Sequence, residues 1–142
     1  MKIAVDFDGT IVENKFPGIG KENTFAFMTL QEMQKKGHQL ILWTCRTGRE
    51  LDQAVEYCRR NGVEFYAVNA NYPEEIYDES ISRKIVADYY IDDRVPGGFP
   101  GWGEVWQMIN KESTGYSEVD TFRINRKGPG LFRKFLSWFS RF

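Results

Sequence analysis

Apolar residues come in short runs and in helical stripes, and the two kinds alternate along the chain. Residues 2–6 open with Ile3-Ala4-Val5 and end on an acid, which reads as a first strand. Residues 22–36 carry Phe27, Leu30 and Met33 at helical spacing and stop at Gly37, which predicts a helix. Residues 39–44 hold the near-continuous run Leu-Ile-Leu-Trp, suited to a strand covered on both faces. Residues 49–61 predict a second helix with Leu51, Ala54, Val55 and Cys58 as its inner stripe and Gly62 as its stop. A third strand is expected over residues 63–68 and a fourth over residues 87–91, running into Asp92-Asp93. A further helix is expected over residues 102–111. Residues 69–80 are polar and broken by Pro73, and read as a loop beside the strand ends. Strands alternating with helices predict an α/β fold, a three-layer α/β/α sandwich around a mostly parallel, Rossmann-like sheet.

Polar residues sit where these strands end. The first ends in Asp6-Phe7-Asp8-Gly9-Thr10, the second in Thr44 and the fourth in Asp92-Asp93, while Lys84 lies just before the fourth. Ligands of open α/β sheets bind outside the carboxyl ends of the strands, so these distant residues are expected to meet at one edge. Residues i and i+2 of a strand share a face, which lets Asp6 and Asp8 converge as the strand ends. Ionised carboxylates gathered there need a cation or several donors.

Composition adds bounds. A chain of 142 residues with 42% hydrophobic and 27% charged residues suits one soluble domain with a sizeable core. Its net charge of −1 hides an asymmetry. Residues 1–122 hold all 20 acidic residues against 13 basic ones, a net −7, and residues 123–142 hold six basic residues and no acid. Residues 1–122 are therefore read as the catalytic domain and residues 123–142 as a basic tail. Cys45 and Cys58 form no disulfide framework and no metal-binding spacing, which suits free thiols in the cytoplasm. The start meets an acid too early for a signal peptide, and no apolar run approaches the ~20 residues of a membrane span.

Asp6-x-Asp8-Gly9-Thr10, Thr44, Lys84 and Asp92-Asp93 resemble the four ordered motifs of the haloacid dehalogenase-like phosphatase superfamily, over residues 1 to about 110. The resemblance implies a magnesium-dependent phosphomonoester hydrolase acting through an aspartyl-phosphate. Asp6 would be the nucleophile and Asp8 the acid and then base. Magnesium would be held by Asp6, the backbone carbonyl of Asp8 and the Asp92-Asp93 pair, with Asp93 favoured as the direct ligand. Thr44 and the positions that follow it, Cys45 and Arg46, would hold phosphate oxygens, and Lys84 would balance the carboxylates. The second acid, Asp8, favours a phosphatase over a dehalogenase. The stretches after Thr10 and between the third and fourth strands are too short for a cap domain. An open site of this kind would take a phosphorylated small molecule, a nucleotide or a macromolecular end, or be covered by a second copy in a homo-oligomer. A phosphotransferase of the same fold, or a non-catalytic binding or scaffold protein that retains it, are the competing readings.

Other chemistries fit less well. Cys45 lacks the arginine six residues later that a cysteine phosphatase requires, since position 51 is Leu. Gly18-Ile19-Gly20-Lys21 is followed by Glu22 where a phosphate-binding loop needs Ser or Thr. A receiver domain needs its adjacent acids on the first strand, and here they come last. His38, the single histidine, opens a strand and is expected to be structural. In the tail, Gly128-Pro129-Gly130 precedes residues 131–142, whose seven apolar residues fill one face of a helical wheel opposite Arg133, Lys134 and Arg141. Such a segment resembles an interfacial membrane anchor. Docking on its own domain or on a second subunit would bury the same face.

Overall fold

The computed structural model of the protein describes residues 1–113. The strands are β1 (Lys2–Val5), β2 (Gln39–Leu42), β3 (Ala67–Val68) and β4 (Tyr89–Ile91). The helices are α1 (Ala26–Lys35), α2 (Gly48–Arg60) and α3 (Trp102–Ser113). The chain falls into two units, Met1–Trp106 and Gln107–Phe142. Within the described residues, the second unit holds the later turns of α3. The expected boundary at 122/123 and the tail lie outside the described residues.

The four strands form one parallel sheet in the order β3-β2-β1-β4. Ala4 pairs with Ile41, and Ile41 with Ala67, so these three share a row across the sheet. With Ile85 they form a buried cluster, and Trp43, Tyr66, Ala70 and Ala87 pack around it. Ile3, Val5, Leu40 and Leu42 alternate with that row, face the other side and are also buried. Burial on both faces explains why the first two strands are apolar runs rather than alternating patterns.

The helices fall close to their predicted positions. Phe27, Leu30 and Met33 of α1 are buried as the stripe requires, and α1 packs on β2. In α2, Ala54 and Cys58 are buried, whereas Leu51 and Val55 are only partly so. Tyr57 joins this face, with its ring centroid 6.4 Å from Phe7 and 5.6 Å from Phe27, tying α2 to α1 and to the end of β1. Burial pushes the Cys58 thiol up to about 12, which makes it a core side chain.

Two differences from expectation are informative. The first helix begins at Ala26 rather than residue 22, because Phe25 adopts a left-handed conformation (φ 69°) that no helix can contain. Glu22 still serves that helix, accepting a hydrogen bond from the Phe27 amide at 3.1 Å. The third strand shrinks to two residues. Tyr66 N–H already donates to Leu40 O at 2.7 Å and Asn69 N–H to Leu42 O at 2.8 Å, but the chain between residues 63 and 66 does not run beside β2 as a ladder.

Candidate functional site

The strand order sets the location. The chain leaves β1 toward β2 and β3 on one side and returns through β4 on the other. The order therefore reverses between β1 and β4, and a crevice opens outside their carboxyl ends. Asp6 and Asp8 follow β1 directly; Asp92 and Asp93 follow β4 directly. Asp6 N–H donates to Ile91 O at 2.9 Å, which extends the pairing to the residue that carries the first acid. Asp6, Asp92 and Asp93 offer carboxylate oxygens that all lie within 4.8 Å of one another.

A tight turn carries the chain out of β1. Phe7 O accepts hydrogen bonds from the amides of Thr10, Ile11 and Val12, and Gly9 N–H donates to Val12 O at 2.7 Å. Gly9 sits at φ 92°, and a Cβ there would overlap the Asp93 carboxylate. The turn is braced from outside. Asn23 Nδ2 donates to Gly9 O (3.2 Å) and Thr10 O (2.9 Å), and buried Trp102 Nε1 also donates to Thr10 O at 2.9 Å. Asn23 and Trp102 were invisible as site supports, since nothing in their local sequence marks a long-range bond to a turn carbonyl.

The electrostatics are those of crowded acids. Burial is the largest influence on Asp6, and the charges of Asp92 and Asp93 add to it; together they raise its carboxyl to about 7 despite hydrogen bonds from the Phe7 amide and the Thr10 hydroxyl. The Thr10 hydroxyl lies 3.3 Å from Asp6 Oδ2. Asp92 Oδ1 accepts from the Arg94 amide at 2.7 Å. Asp93 Oδ1 is buried without a hydrogen-bond partner.

Asp8 has a different partner from its neighbours. Arg46 grips it with a two-pronged fork, Nε to Oδ2 and Nη2 to Oδ1, both at 2.7 Å. Arg46 is 1% exposed. It also donates to Pro17 O (3.1 Å) and Gly18 O (2.6 Å), and its guanidinium carbon lies 4.9 Å from the centroid of the Phe7 ring and 5.3 Å from that of Phe16. The sequence places Arg46 among the phosphate-holding positions. The structure instead commits most of its donors to Asp8 and to the segment after Phe16.

Thr44 and Cys45 line the same cleft as Asp6 and Asp8, just before α2 begins. The Thr44 amide donates to Asn69 Oδ1 at 2.8 Å, and its hydroxyl oxygen accepts from the Arg46 amide at 3.2 Å. Asn69 follows β3 at φ 49°, a left-handed position that asparagine tolerates. It is the one point at which the 69–80 segment reaches the site, and none of residues 70–80 lines the cleft. Lys84 is not brought to the acids. It is exposed, with Nζ 5.2 Å from the centroid of the Tyr90 ring, and does not line the cleft. Tyr90 is itself anchored by a hydrogen bond from its hydroxyl to Ile85 O. His38 does not line it either; its Nδ1 lies 3.5 Å from the N-terminal amine. Asn14, Phe16 and Arg94 complete a cleft of about 410 Å³, and sequence reasoning assigned none of them. Arg94 carried a signal, standing directly after the strand-end acids.

No family model and no curated protein matches the chain. Among solved structures, the chain is similar to a conserved protein coded by a locus from Bacteroides thetaiotaomicron. The identity is 54%, the match covers 79% of this chain and 91% of that one, and the TM-score is 0.75. At that identity and coverage the chain belongs to the same family as this Bacteroides protein.

Proposed function

We propose that the protein is a magnesium-dependent phosphomonoester hydrolase of the haloacid dehalogenase type, with helices on both faces of its sheet and no cap domain. The observation that carries this reading is the convergence of Asp6, Asp92 and Asp93 within 4.8 Å at the reversal of strand order, in one cleft with Asp8 and Thr44. The donor set suits a small hard cation, being oxygen only, with one buried carboxylate oxygen that no protein group satisfies. Asp6, the Asp92-Asp93 pair and the Asp8 backbone carbonyl would hold the ion. Bound there, magnesium supplies positive charge against the transferring phosphoryl oxygens.

The side chains divide the rest of the work. Asp6 carboxylate attacks phosphorus; an oxygen–phosphorus bond forms on Asp6 and the bond to the leaving alcohol breaks. Asp8 gives that alcohol its proton. It then takes a proton from the water that attacks the aspartyl-phosphate, and phosphate leaves as Asp6 is regenerated. The Arg46 fork orients Asp8 in the cleft and fits its ionised form, the one that takes the proton from water. The Thr44 hydroxyl, which accepts from the Arg46 amide and keeps its own proton to donate, would hold a phosphate oxygen just ahead of α2, where a helix N-terminus favours negative charge. Lys84 has no part in this account.

The test is hydrolysis of a generic aryl phosphate with magnesium. Turnover should vanish with chelator and fall by about 10³-fold or more in Asp6→Asn. Equal inertness of wild type and Asp6→Asn across a broad phosphoester panel would sink the reading.

A further inference from the structure

We propose that Phe16 is the specificity platform of this cleft, and that the favoured phosphomonoester carries a planar unsaturated ring that stacks on the exposed Phe16 side chain. The inference rests on the reading of the cleft as a phosphomonoester site, and it adds the class of the leaving group. Phe16 lines the same cleft as Asp6 and Asp8, yet is 61% exposed. A single exposed phenylalanine on a protein surface is ordinary. This one stands at the mouth of an acidic hollow, where an apolar ring does nothing for a phosphate dianion and offers a face only to the group attached to it.

The ring is also held in place. Its inner neighbour is the buried Arg46 guanidinium, 5.3 Å from the ring centroid. The same guanidinium bonds Pro17 O and Gly18 O, so the backbone immediately after Phe16 is fastened to the Asp8 ion pair. A platform ordered before the ligand arrives loses little freedom on binding, and stacking on it is retained as affinity. Asn14 and Arg94, which also line the cleft, offer polar groups to the edge of a ring bound there. A simple aryl group and a nucleobase share this chemistry; they differ in how far the ring lies from phosphorus.

The test is equilibrium binding of non-hydrolysable phosphonates to the full chain with magnesium present. The probes are methylphosphonate, cyclohexylphosphonate, phenylphosphonate and a nucleoside 5′-phosphonate. Wild type should bind phenylphosphonate or the nucleoside phosphonate about tenfold more tightly than methylphosphonate, with cyclohexylphosphonate well behind. Whichever ring ligand leads identifies the reach. Phe16→Ala and Phe16→Leu should bring that ratio below about threefold, and Phe16→Trp should keep it. The inference is overturned if no phosphonate binds, if the saturated ring does as well as the planar one, or if the preference survives Phe16→Ala. Hydrolysis is not needed for this readout. A protein that binds ring phosphonates through Phe16 but turns over no phosphoester would lose the hydrolase reading alone. One that turns over phosphoesters but binds methylphosphonate as tightly as both planar-ring phosphonates would lose the platform alone.

Discussion

At the scale of single residues, Asp6 is the group whose environment matters most. Its carboxyl is held near 7 in the folded chain against an ordinary value of 3.8. Between those two values the unfolded chain has released the proton and the folded chain keeps it, so folding binds a proton there. Stability contributed by the protonated form is full below about 4 and is lost as pH rises through about 7. Metal-free protein should therefore melt at falling temperatures from pH 5 to pH 8, and Asp6→Asn should flatten that slope. Magnesium competes with the same proton, so it should raise the melting temperature more at pH 8 than at pH 5. Thermal scans at four pH values, with chelator and with magnesium, check both; parallel wild-type and Asp6→Asn curves would remove the account. Gly9 gives a second prediction. A Cβ at φ 92° is strained and meets the Asp93 carboxylate, so Gly9→Ala should cost about 1–3 kcal/mol in denaturant unfolding. It should also abolish stabilisation by magnesium. That Asp6, Asp8, Thr44 and Asp93 gather in one cleft was legible because strand ends can be read from local pattern. The partner of Asp8 was not, because residues 8 and 46 meet only through the pairing of β1 with β2.

At the scale of elements, periodicity predicted every helix and strand among the described residues and the starts of β1, β2 and α3, but not those of α1, β3 and β4. Leu30 and Met33, or Ala54 and Cys58, repeat with the turn of a helix and need no tertiary knowledge. Residues 63–66 look like strand because Val63 and Phe65 are good strand formers, yet only Ala67 and Val68 pair with β2. Propensity describes a residue's fit to a pleated surface and says nothing about whether a neighbour is present. The displacement of Lys84 has the same origin. Its expected place follows from spacing ahead of β4, whereas the intervening chain directs it onto the exposed Tyr90 ring. The start of α1 carries a prediction at this scale. Phe25 is 56% exposed and pays left-handed strain of about 1–2 kcal/mol at the helix entry. Phe25→Gly removes that strain while giving up little burial, so it should raise unfolding stability by a few tenths to about 1 kcal/mol. An unchanged or lower denaturant midpoint would mean that the Phe25 ring contributes packing that offsets its backbone.

At the scale of the whole molecule, charge separates the acid cluster from the end of the chain. The acid cluster, its cleft and its braces, including Trp102, all fall within Met1–Trp106. No helix among the described residues is long and apolar enough to cross a membrane. For a peripheral membrane contact the sequence pattern points to residues 131–142. The first 122 residues, at net −7, would be repelled by an anionic surface, whereas the last twenty carry six basic residues. Each basic side chain near such a surface contributes about 1 kcal/mol at physiological ionic strength, and the Trp and Phe side chains of residues 131–142 would add apolar insertion. Full-length protein should thus sediment with phosphatidylserine vesicles in dilute salt and partly release at high salt. Protein lacking residues 123–142 should stay in solution while retaining magnesium-dependent aryl-phosphate turnover within about twofold, since every proposed site residue remains. Equal recovery of both forms would end the membrane proposal. Light scattering then decides the alternative. A dimer that dissociates on loss of the tail would place the apolar face of residues 131–142 against a second copy, and an unchanged monomer would rule that copy out.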